Sequence, residues 1–414
     1  MNATTVTAEP ITATTKPVAS TRLVSIDALR GFDMFWILGG DLLMNALGKM
    51  STNPVAQALA TQLEHVQWAG FRFYDLIFPL FVFIVGVSLV FSLSKIIETE
   101  GKAAAHRRII RRFILLFLVA LFYSGGVSHN WPDIRLLGVL NRIALCYLFA
   151  GLIYCHFKWR GMAAICAGLL LGYWALMTLV PFPDVRPVDA NGVVISQALT
   201  ATNTAQLNFA STNKIRGGFE PGLNLANYID EKYLPGKKWD KIWDPEGLLS
   251  TLPAIGTCLL GVFAGLLLQR KDISDRKKVV RLLTWGAGAV VLGWLWNLQF
   301  PVIKKIWTSS YVLVAGGYSA ILLGCFHQII EVWNRRQWAT PFVWIGANPI
   351  TLYVMDNVVG FDRVAQRLVG GDVTHFFDAK VTEGTGELVI AIVALGIAIV
   401  IARFLYRRKI FLRL

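Results

Sequence analysis

Long apolar runs alternate with shorter polar connections along most of the chain. A helix needs about 20 mainly apolar residues to cross the hydrocarbon core of a bilayer. About ten segments have this length and character. They run roughly over residues 24–47, 75–96, 109–127, 138–156, 162–181, 248–268, 279–300, 308–331, 340–358 and 386–406. The pattern predicts an all-α fold, a polytopic bundle of about ten transmembrane helices.

The segments outside these runs suggest how the chain is organised. Residues 1–20 are rich in Thr, Ala and Pro and contain no apolar core. They are predicted to be a disordered tail and not a signal peptide. Residues 21–414 are predicted to form a single transmembrane domain. Within it, residues 182–247 form a long connection rich in aromatic residues, which we expect to pack as an ordered cap; a glycine-punctuated loop without function is the alternative.

Charge supports the membrane interpretation and suggests an orientation. Of the 414 residues, 55% are hydrophobic and 16% are charged, with a formal net charge of +14. Soluble domains carry about 25% charged residues. With ten spans, the basic clusters at residues 95–112, 158–160, 270–281, 335–336 and 407–413 all fall on one side. The positive-inside rule then places both termini in the cytoplasm, and the basic character requires no nucleic acid partner.

The five cysteines lie within or at the edges of apolar runs. No disulfide framework is indicated by this placement. No Cys/His spacing typical of a metal site is present either, so no metal is predicted.

The strongest candidate for chemistry is a polar loop that leads into an uncharged apolar helix. His65 stands in this loop, and Asp75 lies at the mouth of the helix. The imidazole titrates near neutral pH, which makes His65 a natural general base. A simple polar contact at an interface is the alternative. His129, in another predicted outward loop, is a second and weaker candidate because no acid adjoins it.

Charged residues inside spans are costly and usually face a cavity or a partner. Asp27 and Arg30 are three residues apart and can form an ion pair, which could be purely structural. Asp41 follows two glycines and could face a ligand or extend to the outer interface. Arg142 requires an anion, either a carboxylate or a phosphate. Other candidate binding residues are Trp68, Asn141, Glu246, Ser309, Ser310 and Asn348. This polar interior is compatible with a membrane enzyme or with a transporter.

Six blocks give a more specific indication. They read RLVSIDALRGFDMFWILGGD, HVQWAGFRFYDLIFPLFVFIVGVS, GVLNRIALCYL, DPEGLLSTLPAIGTCLLGVFAGLLL, IWTSSYVL and WIGANPITLYV. In this order they resemble the membrane domain of the heparan-α-glucosaminide N-acetyltransferase family and its bacterial relatives. The resemblance covers essentially the whole chain after residue 20. It implies transfer of an acetyl group from acetyl-CoA to the amine of a terminal glucosamine across a membrane.

The resemblance also implies roles for particular residues. The active histidine of the family stands in a block H-x-x-W-x-G, which here contains His65, Trp68 and Gly70. The lysosomal enzyme has an asparagine where this chain has Asp41, and we do not expect the family's large luminal domain ahead of the first block, which leaves the acceptor open. Arg30 or Arg142 would hold the CoA phosphates, and Asp41 or Asp75 would orient the imidazole. His65 would act as a base or as a transient acyl carrier.

These expectations describe an acetyl-CoA-dependent enzyme in a bacterial inner membrane. Its partners would be acetyl-CoA, an amino-sugar acceptor and the lipid bilayer, with a homodimer as a further option. The alternative function is a permease for amino sugars or sugar fragments, with the buried charges lining its path.

Overall fold

A computed structural model describes residues 23–51, 53–189 and 191–411. The predicted tail at residues 1–20 lies outside these ranges. The described chain is mostly helical. Its helices are α1 Val24–Phe35, α2 Asp41–Met50, α3 Pro54–Gln62, α4 Phe73–Glu100, α5 Lys102–Tyr123, α6 Val139–His156, α7 Trp159–Leu179, α8 Leu225–Tyr233, α9 Thr251–Gln269, α10 Asp275–Trp296, α11 Ser309–His327, α12 Thr340–Ala347, α13 Pro349–Val359, α14 Phe361–Val369, α15 Asp372–Lys380 and α16 Thr385–Arg407.

Seven helical segments of the described chain are long and apolar enough to cross a membrane. They are α4, α6, α7, α9, α10, α16 and α11 extended to Val332 by a π-helical turn. Much of the surface of α7, α10 and α16 is exposed and apolar, as expected of helices that contact lipid. The protein is therefore an integral membrane protein. Ten crossings and cytoplasmic termini stay predictions.

The other three predicted spans are helical but differ from uninterrupted apolar helices. The first is broken between α1 and α2 by a π-helical turn, Trp36–Gly40, in which Gly39 has a φ of 130°. Such a φ strongly favours glycine. The ninth is broken at Asn348, where Pro349 begins α13. The third corresponds to α5, whose first half is basic.

Glycines allow the central helices to approach closely. A Cβ atom on Gly86 of α4 would lie 2.0 Å from the carbonyl oxygen of Cys258 in α9. A Cβ atom on Gly261 of α9 would lie 1.9 Å from the carbonyl oxygen of Phe83. Small residues at helix contacts are typical of membrane bundles, where van der Waals packing drives association. The α4–α9 pair consequently forms the centre of the core.

The long connection after α7 is a folded unit that we call the cap, residues 182–247. It contains α8 and two short antiparallel strands, β1 Phe182–Pro183 and β2 Lys214–Ile215. Its apolar residues form a second core together with Tyr173 of α7 and Phe300 of the α10–α11 loop. The cap is thus fixed to the helical bundle by a shared core, whereas its outward placement stays a prediction.

Candidate active site

His65 lies in the loop between α3 and α4, and its imidazole is hydrogen-bonded to Asp75. Nδ1 of His65 is 2.9 Å from Oδ1 of Asp75. The other oxygen, Oδ2, accepts hydrogen bonds from the backbone N–H groups of Val66 at 3.3 Å and Arg72 at 3.1 Å. Asp75 is in the first turn of α4, where a carboxylate also stabilises the helix start. One buried carboxylate therefore caps α4 and orients the imidazole, whose side chain is 52% exposed.

Tyr74 forms a second support for the imidazole. Its ring packs against the His65 ring with centroids 4.7 Å apart. Its hydroxyl group donates a hydrogen bond of 3.0 Å to Oδ2 of Asp41. Asp41 therefore approaches His65 through Tyr74, whereas Asp75 contacts the imidazole directly.

A cavity of about 360 Å³ opens beside His65 and extends into the bundle. Most of its wall is apolar. The apolar lining comes from α1, α4, α5, α6 and α13 and includes Met34, Ile37, Phe78, Phe81, Tyr123, Ile143 and Tyr353. Its polar lining includes Asn141, Glu246 and Arg135. The cavity can therefore hold a long, largely apolar group whose reactive end reaches His65.

The polar part of the wall is organised around Arg135, and a second arginine, Arg142, lies behind it. Arg135 donates to both oxygens of Asp244, at 2.8 and 2.7 Å, and to Glu246 at 2.6 Å. Burial raises the pKa of Glu246, and the nearby guanidinium groups of Arg142 and Arg135 oppose this shift. The net shift is upward, so burial and the nearby Asp244 together outweigh the two arginines.

Arg142 is fully buried at the start of α6, immediately behind this wall. One of its nitrogens donates to the carbonyl of Gly247 and to the hydroxyl of Ser250. Its guanidinium lies 4.9 Å from the ring centre of Trp307, which lines the cavity. Within the described chain, Nε and Nη1 of Arg142 and both amide atoms of Asn141 have no hydrogen-bond partner. Such buried groups are rare in native proteins and could be satisfied by a polar ligand.

Six other predicted site residues lie away from the cavity. Asp27 and Arg30 form an ion pair of 3.3 Å, and Arg30 also donates to Ser88 of α4 at 2.6 Å. Trp68 donates to the carbonyl of Phe219 and so joins the His65 loop to the cap. Three others bond to backbone carbonyls: Ser309 to Leu170, Ser310 to Pro301 and Asn348 to Ile410. None of these six lines the cavity. His129 is exposed.

One group that the sequence interpretation missed contacts the histidine. Nζ of Lys304, in the loop between α10 and α11, lies 2.9 Å from Nδ1 of His65. A signal was present, because Lys304 and Lys305 stand in a loop assigned to the side opposite the basic clusters. Among the described residues, no group of three or more His, Cys, Asp or Glu side chains could hold a metal ion.

Residues 22–209 match the family model for the catalytic region of heparan-α-glucosaminide N-acetyltransferase. This range includes His65, Asp75 and Asn141. Over this range the chain is similar in sequence to the heparan-α-glucosaminide N-acetyltransferases. It is 25% identical to the human heparan-α-glucosaminide N-acetyltransferase over 398 residues, or 84% of this chain and 55% of the human protein. It is 24% identical to the mouse protein over 380 residues, or 84% of this chain and 56% of that protein.

The chain spans about half the length of these curated N-acetyltransferases. The family match ends at residue 209, before Glu246 and Lys304. The cavity wall thus combines residues inside the match with residues beyond it.

Proposed function

We propose that this protein is a membrane acetyltransferase that moves an acetyl group from acetyl-CoA to the amine of a glucosamine-type sugar. The observation that carries this proposal is the contact between His65 and Asp75 at the mouth of a deep, mainly apolar cavity. The names of the similar proteins give the transferred group, acetyl, and the acceptor class, a glucosaminide.

The mainly apolar lining of the cavity supports this choice of donor. The pantetheine arm of acetyl-CoA would lie along the apolar wall and present its thioester beside His65. Asn141 lines the cavity and offers unsatisfied amide atoms to the amides of the pantetheine arm. The basic loops would attract the nucleotide on the side that we expect to be cytoplasmic.

The chemistry follows from the orientation of the imidazole. A carboxylate at Nδ1 favours the tautomer with its proton on that nitrogen, which makes Nε2 the basic nitrogen of the ring. His65 Nε2 would take a proton from the acceptor amine as its nitrogen attacks the thioester carbon. The carbon–sulfur bond would then break, and the CoA thiolate would receive the proton. We favour this direct route over an acetyl-imidazole intermediate, because the half-exposed His65 would allow water to hydrolyse it.

The test uses the full chain purified in detergent or reconstituted in liposomes. Labelled acetyl-CoA and glucosamine should give labelled N-acetylglucosamine. His65→Ala should abolish transfer, with a loss of at least about 10²–10⁴-fold for a general base, while the melting temperature is retained. Full activity in this variant would remove His65 from the mechanism. Uptake of labelled sugar into vesicles without acetyl-CoA, and no transfer, would favour the permease alternative.

A further inference from the structure

The loop between α10 and α11 is held against the His65 loop by backbone contacts. Gly70 N–H donates to the carbonyl of Val302 at 2.8 Å, and Ala69 forms an antiparallel bridge with Ile303. Thr308 accepts a hydrogen bond from the backbone N–H of Ile303 at 3.0 Å. The next residue, Lys304, therefore follows a backbone segment that is hydrogen-bonded both to the His65 loop and to Thr308.

The ammonium of Lys304 lies at the centre of the site. Its Nζ is 2.9 Å from Nδ1 and 3.2 Å from Nε2 of His65, and 3.5 Å from Oδ1 of Asp75. The side chain is 21% exposed and lines the cavity. Burial lowers the pKa of Lys304, whereas the carboxylates of Asp75 and Glu246 oppose this shift and favour the ammonium form.

This position matches the requirement of acyl transfer. When the amine attacks the thioester carbon, the electron pair of the C=O double bond moves to oxygen and forms an oxyanion. A base at Nε2 must touch the attacking nitrogen, so the carbonyl lies close to the same atom. A cation 3.2 Å from Nε2 is consequently within reach of the developing negative charge. Hydrogen-bond donors fixed at such a point before the reaction are among the largest contributors to catalysis.

We propose that Lys304 is a catalytic residue that binds the thioester carbonyl oxygen and stabilises the oxyanion of the tetrahedral intermediate. This inference rests on the proposed function. The oxyanion then collapses, the C=O bond re-forms, the CoA thiolate leaves, and His65 returns the amine proton to the thiolate. The Lys304 ammonium keeps its own protons throughout.

The neighbouring lysine provides a matched comparison. Lys305 lines the same cavity, but its ammonium bonds to Asp240 at 3.0 Å and lies 5.5 Å from the ring centre of Trp243. Lys305→Met therefore removes the same charge from the same wall without removing a contact to His65. It should change the KM for acetyl-CoA more than kcat.

The experiment measures kcat and KM for acetyl-CoA and glucosamine in the full chain. Lys304→Met should lower kcat by roughly 10²–10³-fold with a smaller change in either KM. Lys304→Arg keeps a cation and should retain at least about tenfold more kcat than Lys304→Met. Melting temperatures confirm folding, and Lys304→Gln replaces the methionine variant if the latter cannot be purified.

The outcomes separate this inference from the proposed function. An inactive wild-type protein would overturn both. If the wild type is active, three results would each overturn the role of Lys304 alone. They are a kcat of Lys304→Met within about threefold of wild type, a loss of kcat in Lys305→Met equal to that in Lys304→Met, and a kcat of Lys304→Arg no higher than that of Lys304→Met.

Discussion

Tyr74 connects Asp41 to His65, because its hydroxyl donates to the Asp41 carboxylate at 3.0 Å while its ring packs on the imidazole. Asp41 is the first residue of α2, directly after the π-helical turn, and Tyr74 is in the first turn of α4. The contact therefore joins the broken first span to the helix that carries Asp75. The hydrogen bond of Asp41 therefore reaches the imidazole through the Tyr74 ring, and its carboxylate also interacts with His65 through space.

This arrangement predicts that the charge of Asp41 contributes to activity but is not essential. An asparagine oxygen can still accept the hydrogen bond from Tyr74, so Asp41→Asn should retain partial activity, within about tenfold of wild type. Tyr74→Phe removes the hydrogen bond and should give a similar or larger loss. If the two changes act through one bond, the double variant should lose less than the product of the single losses. Complete loss of transfer in Asp41→Asn would show that its charge is required.

Asp75 should be much less tolerant of the same change. Asp75→Asn removes the charge that orients Nδ1 of His65 and should lower kcat by roughly 10²–10⁴-fold, since the base depends on a correctly placed proton. The melting temperature must be measured with it, because Asp75 also accepts the backbone N–H groups at the start of α4.

Glu64→Gln is the control for Asp75→Asn. Glu64 adjoins His65 in sequence, but its exposed carboxylate bonds to Arg72 and has no bond to the imidazole. Its variant should transfer acetyl at close to the wild-type rate. An active Asp75→Asn protein, or an equal loss in Glu64→Gln, would contradict the orienting role.

The sequence could predict most of the helices and the central pair of the site. The length of the apolar runs alone predicts the seven helices that can cross a membrane. The pairs Asn348–Pro349 and Gly39–Gly40 indicate where two further spans are interrupted. His65 and Asp75 are ten residues apart, on a loop and the first turn of the helix that follows, so their contact is local.

Contacts between distant segments could not be predicted in this way. Lys304 is 239 residues from His65, and backbone contacts of Ala69 with Ile303 and of Gly70 with Val302 bring the two loops together. The same holds for Ser309 and Ser310, a hydroxyl cluster that sequence alone assigns equally well to a ligand or to backbone carbonyls. Tertiary packing decides between these alternatives, and here it gives both hydroxyls protein partners.

The ten-span topology predicts that His65 and the basic C-terminal segment face opposite sides of the membrane. In a variant without native cysteines, Thr61→Cys, near His65, should react with an impermeant thiol reagent from outside intact cells. Lys409→Cys should react only after the cells are opened. Both positions are exposed in the structure, so burial would not explain a lack of labelling. Labelling of both from the same side would contradict the topology and the supply of acetyl-CoA from within the cell.

A buried acid in the cap should make the stability of the cap depend on pH. Glu231 of α8 is 4% exposed, and neither carboxylate oxygen has a hydrogen-bond partner within the described chain. Burial and the neighbouring Asp230 raise the pKa of Glu231 from an ordinary 4.5 to about 8. The folded cap therefore binds more protons than the unfolded chain between these two values.

Stability must then fall as pH rises from about 4.5 to about 8, with a slope of at most about 1.4 kcal/mol per pH unit for this group. Hydrogen exchange of residues 225–233 should accelerate over this range beyond its intrinsic pH dependence. Glu231→Gln, which stays neutral, should remove part of this additional acceleration of exchange. Asp230, whose pKa is raised to about 7, should account for a further part. Glu220→Gln, a change at an exposed cap residue, should leave the additional acceleration intact. An equal pH response in the wild type and Glu231→Gln would show that the Glu231 carboxyl is hydrated or paired in solution.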